Sequence, residues 1–530
     1  MDRTSELPTE ILHNILSRLS TKTAAQTSVL SKPWLKACST NPKLSFDESD
    51  FKRQHGKFLK IVDDTLEKYH REKLLVSNVK LCIFFSDQTD CDGIVDKWLD
   101  IIAKKKVSQV SLLVKSISGL FSERYNLSAD SIFAMESLQQ LELNQCKILK
   151  LKSILFEDSK IKCRNLKSLS LCYVTVSEST LDTLISCCGP HLMMISFQHC
   201  TGFSCIRVSN LPNLLSLNIL CCPIEEVHIV DAPKLLSFEY TNKYKLEPYS
   251  YGFDVFLRSL NIGTCQNLRR VEFVKATIDD IDLFQLIQKL PFIKELSLRY
   301  CKYLKILKIS SSTLEICSIG NCECFVQAIF DVPKLLSLVI SNQFRLPSLS
   351  FERDSSQCRI SIDYPNLWNA QRFIDLRRYL VELNGQPVDL TLSNTLWKFR
   401  SKSLRASGIS DHHPTPQVEN LISISGYSTA SYSTYFDAIF WTCWPKSLIV
   451  QCNEGFRKFL RQQLLKKYQW RLSKCTWKEY LINAQIEYKR KIEDNWMTLD
   501  RKMLAANSGI IEEIHTIRFK QAKRKDKNEG

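Results

Sequence analysis

One apolar motif recurs along the middle of the chain: Leu-x-x-Leu-x-Leu, usually followed three residues later by Cys. Copies begin at Leu138, Leu166, Leu192, Leu214, Leu235, Leu257, Ile293, Leu314 and Leu335, in steps of 28, 26, 22, 21, 22, 36, 21 and 21. The longest step also contains an irregular copy, Leu268-x-x-Val271-x-Phe273. Alternation inside the motif predicts a short strand with one face buried. A unit of this size cannot bury that face alone, so only stacked neighbours make a core. Three Pro-x-Leu-Leu-Ser pieces, at Pro212, Pro233 and Pro333, mark the same register, and proline before a strand stops the preceding segment. The Cys position is filled six times, by Cys146, Cys200, Cys222, Cys265, Cys301 and Cys322. These are expected to be buried as small hydrophobes whose weak S–H groups serve backbone carbonyls.

This pattern resembles the leucine-rich repeat, with Cys at its Asn-or-Cys position. The resemblance implies a curved solenoid, a strand and then a helix or irregular return in each repeat, and a parallel sheet on the concave side. The residues that alternate outward from the strands, among them Glu142, Asn144, Ser170, Ser196, Asn218, Glu239, Asn261, Ser297, Arg299 and Ser318, are mixed and polar. They define no ligand type.

The first fifty residues follow a different rule. Leu7, Ile11, Leu12, Ile15, Leu16 and Leu19 recur at helical spacing, with Pro8 suited to the first turn. Ser20 and Thr21 interrupt this pattern and can cap a second helix with a small-residue face (Ala24, Ala25, Ser28, Val29). Ser31 is placed to cap a third helix that carries Trp34. Three helices this short bury little by themselves, so they pack on the chain or hold a partner. The stretch resembles the F-box, by which substrate receptors dock on the adaptor of Skp–cullin–F-box ubiquitin ligases. The resemblance implies adaptor docking formed or supported by Leu7, Pro8, Ile11, Leu12, Ile15, Leu16, Val29 and Trp34. Pro33 departs from the Arg that usually follows the Ser-Lys pair.

Between the two regions, Ile61–Tyr69 is expected to be helical, Val79–Phe85 a buried strand, and Ile94–Ile102 a helix before the strand Val107–Val114. Trp98, Lys104–Lys106 and that strand resemble the opening of the repeat array in plant F-box proteins with leucine-rich repeats. After about residue 345 the period fades. Arg400–Ser433 is expected to be a loop with one strand, and its His412 and His413 to be solvated. Cys443–Leu448 and Cys475–Ile486 resemble the closing segments of the same plant proteins, which implies an α+β cap. The expected class is therefore α/β: a three-helix F-box (1–45), a linker and N-terminal cap (46–106), repeats (107–345), irregular repeats and a C-terminal cap (346–490), and a helical then disordered basic tail (491–530).

Composition narrows the function. Of 530 residues 44% are hydrophobic and 24% charged, enough for a sizeable core. No transmembrane span or leader is legible, so cytoplasm or nucleus is expected. Twenty-one cysteines, an odd number without a C-x-x-C pair, argue against a disulfide scaffold. Cys200 and Cys205 lie near His191 and His199 but lack a closed four-ligand spacing, so no metal is expected. No catalytic motif or cofactor loop is present, which fits a non-catalytic recognition protein. The net charge is +16, and the last eighty residues hold 19 Lys and Arg against 10 Asp and Glu. The excess is local, so nucleic acid is not the expected partner, although a basic tail binding polyanions is a third reading. The leading expectation is a ligase substrate receptor whose partners are a Skp-type adaptor, cullin through it, and a target protein. The alternative is an interaction scaffold without ligase function.

Overall fold

The computed structural model describes residues 6–19, 21–51, 54–85, 93–116, 124–149, 162–242, 257–262, 265–341, 345–353, 357–364, 367–368, 370–383, 385–394, 396–397, 415–425, 432–465, 476–490, 495–499 and 514–521. His412, His413, Cys475 and Lys523–Lys525 lie outside them. The protein is mixed α/β, a helical N-terminal region followed by repeats that each add a parallel strand. Two compact units divide it, 1–278 with 289–293 and 279–288 with 294–530.

Unit one opens with helices α1 (Thr9–Leu16), α2 (Thr21–Thr27) and α3 (Lys32–Ser39). Pro8 is the residue before α1 and not its first turn; its carbonyl accepts from the amides of Ile11 and Leu12 at 3.0 and 3.1 Å. Ser31 stands at the α3 cap in extended conformation, and its side chain makes no capping hydrogen bond. Four residues after α3 a strand begins that sequence reading missed: β1 (Lys43–Asp47). Helix α4 (His55–Arg71) is longer than expected and buries Phe58, Val62, Leu66 and Tyr69, leaving Ile61 half-exposed. Strand β2 (Asn78–Phe85), helix α5 (Ile94–Ala103) and strand β3 (Gln109–Ser116) follow.

From β1 a parallel ladder grows one strand per repeat. It runs β1, β2, β3, β5 (Gln140–Asn144), β7 (Ser168–Cys172), β8 (Met194–Gln198), β10 (Ser216–Leu220), β12 (Ser237–Thr241) and β14 (Arg270–Val274). Each strand buries its second and fourth residues, as in Leu169 and Leu171 or Ile195 and Phe197. The copy starting at Leu257 is a correction. Its strand β13 (Ser259–Asn261) pairs with β11 (Glu226–Ile229), which pairs with β9 (Cys205–Val208), in a separate outer sheet. The irregular copy at Leu268 supplies β14, so Asn261 leaves the ladder's outward row and Glu272 takes the place opposite Glu239. Strands β4 (Tyr125–Leu127) and β6 (Cys146–Ile148) form another outer pair.

Repeat length decides what returns the chain. Steps of 21 or 22 residues leave room for one short strand, and β9 and β11 fill it. The 26-residue step from Leu166 holds helix α7 (Glu178–Cys188), and the 25 residues from Leu268 to Ile293 hold α8 (Asp280–Gln288). A short helix α6 (Ala129–Phe133) precedes β5. The expected helix or irregular return is thus replaced by a strand wherever the repeat is short.

Unit two repeats the scheme. Its parallel ladder is β15 (Glu295–Arg299), β17 (Ile316–Gly320), β19 (Ser337–Ser341), β21 (Arg359–Tyr364), β23 (Val388–Asn394), β25 (Gln417–Ser425) and β26 (Trp444–Gln451). The ladder therefore continues well past 345. Outer strands β16 (Ile306–Ser310), β18 (Gln327–Asp331) and β20 (Ser348–Phe351) form one sheet, and β22 (Leu367–Trp368) with β24 (Leu396–Trp397) another. Helix α9 (Ala370–Glu382) lies between β21 and β23 in sequence. The ladder then changes sense. Strand β29 (Ile514–Gln521) lies antiparallel between β26 and β27 (Ala484–Arg490), and β28 (Met497–Thr498) pairs with β27. This corrects the expected disordered tail: residues 514–521 form a strand in a sheet. Ile514, Ile517 and Phe519 are buried there, and apolar alternation outweighs the basic character of the segment.

The motif cysteines behave as expected. All six are buried. Cys200 Sγ donates to the Leu171 carbonyl at 3.2 Å, and Cys222 Sγ to that of Leu220 at 3.4 Å while accepting from the Cys200 amide at 3.3 Å. Burial pushes the Cys146 thiol up to about 12. Just before this position the backbone turns left-handed: Gln145, Tyr173, His199, Cys221, Tyr300 and Asn321 have φ between 51° and 59°. Each of these amides donates to the last carbonyl of the next ladder strand, which offsets a conformation that non-glycine residues rarely adopt.

Candidate adaptor-docking and target-binding surfaces

Two faces of α1 diverge. Leu12 and Leu16 turn inward and meet Ala24, Trp34 and Ala37 in one small core, with Leu7, Leu19 and Cys38 packed on its rim. Ile11 and Ile15 stay 46% and 39% exposed, although both are large and apolar. Val29 is 84% exposed, and Pro8 is exposed as well. Of the eight residues picked from the sequence, then, Leu12, Leu16 and Trp34 are core, Leu7 is rim, and Pro8, Ile11, Ile15 and Val29 face outward. Sequence reading missed Leu30 and Leu35, which are 59% and 56% exposed. The signal was available: Leu35 cannot share the buried face of α3 with Trp34 and Ala37 at helical spacing.

This helical module is bound to the ladder that follows it. His13 Nε2 meets Thr40 Oγ1 at 3.2 Å, closing α1 onto the end of α3. Lys22 donates to the Asp50 carbonyl and lies over the Phe51 ring. Tyr69 of α4 donates to the Asn41 carbonyl at 3.1 Å, and burial raises that phenol. Strand β1 follows within four residues and pairs along its length with β2. Further on, Asp63 accepts from Lys97 Nζ at 2.8 Å and from the Trp98 indole at 3.0 Å. Burial alone would raise the Asp63 carboxyl, but these bonds outweigh it and hold it below its usual range.

The second surface is the outward face of the ladder. In unit one the register aligns Ser111, Glu142, Ser170, Ser196, Asn218, Glu239 and Glu272 in one row. Glu272 is buried beside Arg270, at 3.3 Å. In unit two the matching row is Ser297, Ser318, Val339, Ser361, Asp389 and Asn420. Serine fills three of the seven positions in the first row and three of the six in the second.

A helical module with apolar residues left outside thus precedes a ladder of parallel repeat strands. Residues 4–46 match the F-box domain, and residues 95–255 match the family described as "FBD-associated F-box protein At5g56370, LRR repeats". Three similar proteins come from Arabidopsis thaliana. F-box protein At3g60790 is 27% identical over 259 residues, 46% of this chain and 50% of the relative. Putative FBD-associated F-box protein At5g22720 is 32% identical over 225 residues, 42% and 45%. F-box/LRR-repeat protein At3g03360 is 27% identical over 252 residues, 46% and 48%. The chain spans about half the length of these relatives. The chain is thus similar to plant F-box proteins with leucine-rich repeats. F-box domains typically bind Skp-type adaptors, and proteins of this class are generally non-catalytic. Among the described residues no helix is long and apolar enough to cross a membrane.

Proposed function

We propose that this chain is the substrate-recognition subunit of a Skp–cullin–F-box ubiquitin ligase, working in cytoplasm or nucleus. The observation that carries the reading is the apolar set Ile11, Ile15, Val29, Leu30 and Leu35, exposed on α1, on α3 and in the turn between α2 and α3, around a small core formed by Leu12, Leu16, Ala24, Trp34 and Ala37. With Pro8 they form the docking face, and Leu7, Leu12, Leu16 and Trp34 hold it in shape. The anchoring of these helices to β1 supports a positioning role. A target held on the ladder is then kept at a fixed place relative to the adaptor and, through it, to cullin and the ubiquitin-conjugating enzyme. Catalysis in this chain is proximity: target lysines are presented at high effective concentration, and the chain supplies no reacting group. In this reading 1–45 is the F-box, 46–106 the start of a curved solenoid, 107–345 its regular repeats, and 346–490 irregular repeats and cap.

The test is co-purification with adaptor. Ile15→Asp with Val29→Asp should abolish capture and leave thermal melting unchanged, because both side chains are outside the core. Undiminished capture by the double variant refutes the docking face. Capture without cullin-dependent ubiquitination of any bound protein favours the scaffold reading instead.

A further inference from the structure

The outer sheet of unit one brings together three metal-ligating side chains that are distant in sequence. Cys205 of β9 lies directly opposite Glu226 of β11 in parallel register, and His228 is two residues further along β11. Residues paired opposite each other, and residues two apart on a strand, share one face. Here it is the outward face, since Val227 and Ile229 fill the core side. One donor atom from each of Cys205, Glu226 and His228 lies within 4.8 Å of the others. His228 Nε2 and Glu226 Oε2 are 3.2 Å apart. In a tetrahedral zinc site, metal–ligand bonds of about 2.0 to 2.3 Å separate the donors by roughly 3.3 to 3.6 Å. One edge is thus already at that spacing, and the other two are no longer than 4.8 Å.

The surroundings favour a cation. Arg207, opposite His228 in register, is drawn the other way: its Nη1 meets Glu178 Oε1 at 2.9 Å and Asp182 Oδ2 at 3.7 Å, both on α7. Glu178 and Asp182 thus hold that guanidinium, and with Glu226 they place three carboxylates near the Cys205 thiol. Cys205 is 5% exposed, while Glu226 and His228 are half-exposed, so the cluster is dry at the sulfur and open on the other side.

We propose that Cys205, Glu226 and His228 bind one Zn²⁺-class divalent cation, with water in the fourth position, clamping two consecutive repeats. Thiolate, imidazole and carboxylate together suit zinc and disfavour the hard ions magnesium and calcium. On binding, the thiol proton leaves to bulk water, and sulfur, nitrogen and oxygen each donate a lone pair to the metal. Burial raises the Cys205 thiol, so the metal must displace that proton. The site is independent of adaptor docking.

The test uses the full chain, reduced and stripped with chelator, then titrated with Co²⁺. One equivalent should give a thiolate-to-cobalt charge-transfer band with tetrahedral d–d bands, and Zn²⁺ should bleach both. Cys205→Ser should remove the charge-transfer band. Glu226→Gln and His228→Gln, at half-exposed positions that preserve folding, should each weaken cobalt binding by about tenfold or more. Zn²⁺ should raise the melting temperature of the wild type by more than that of any of the three variants. A missing band at stoichiometric cobalt overturns the proposal. So does a band unchanged in Cys205→Ser or equal affinity in His228→Gln, since either places the metal on other cysteines.

Discussion

Removing residues 514–530 should unfold the C-terminal unit, although the sequence there reads as a basic tail. The magnitude follows from β29. Ile514, Ile517 and Phe519 are at most 1% exposed. Burying a large apolar side chain is worth about 1.5 to 3 kcal/mol, so three contribute roughly 5 to 9 kcal/mol. The strand also pairs on both sides, with β26 and with β27. Glu487, 12% exposed at its side chain, would lose both cations that neutralise it, Arg518 at 3.2 Å and Lys520 at 2.8 Å. A whole domain is stable by about 5 to 15 kcal/mol, so this loss is comparable with everything the unit has. Near-ultraviolet circular dichroism reports on the unit directly, because Trp477 and Tyr480 sit in an aromatic cluster with Phe436 and Phe440. Urea titration should show that signal lost or shifted to a far lower midpoint in the truncated chain. Phe519→Ala should fall between the two, at about 3 to 5 kcal/mol. A truncated chain with the midpoint and slope of the full one would refute the reasoning, and residues 514–521 would then be the solvated tail first expected.

Other expectations follow from single contacts. Trp34→Ala should cost about 3 to 5 kcal/mol in the F-box core and reduce adaptor capture in proportion to the unfolded fraction, which proteolysis of residues 6–40 would report. Leu35→Asp should weaken capture without lowering the melting temperature, measured by calorimetry, because Leu35 is outside that core. Asp63 has a depressed folded value, so its contribution is complete above the usual carboxylate range and lost as pH falls through the folded value. Asp63→Asn should therefore lower the melting temperature at pH 7 and lose that difference in acid; a difference independent of pH would contradict the assignment. Gly202→Ala should destabilise by about 2 kcal/mol or more, seen as a lower denaturation midpoint: its φ is +97°, and an added Cβ would collide with the Val176 backbone.

The repeat ladder was legible because Leu-x-x-Leu-x-Leu fixes both the strand and its buried face. What the motif does not fix is which of two parallel strands in a coil it describes. Leu257 and Leu268 both satisfy it, and only pairing with β11 or with β12 separates them. Strand β1 was missed because Leu44 and Phe46 are just two alternating positions beside the F-box. In β29 the alternation of Ile517 and Phe519 was present, but Arg518, Lys520 and the lysines beyond drew the reading toward charge. The N-terminal helices were readable from Leu12 and Leu16; the outward position of Leu35 follows once the buried face of α3 is known. Cys205, Glu226 and His228 were illegible as a cluster, since their spacing of about one repeat means nothing until the outer strands are in register. Nor does any glycine or asparagine mark Tyr173, His199 and Tyr300 as left-handed.

The change of direction at the end of the second ladder bears on how the chain is made. A parallel strand is covered as soon as the next repeat emerges, but β26 receives its second neighbour, β29, only after the 62 intervening residues have been translated. At about 5 to 20 residues per second that is roughly 3 to 12 s during which a hydrogen-bonding edge beside Leu448 and Val450 has no native partner. Unpaired edges recruit other chains. Newborn molecules on one messenger are close neighbours, so during this interval the open edge of β26 is a place where two nascent chains can pair wrongly.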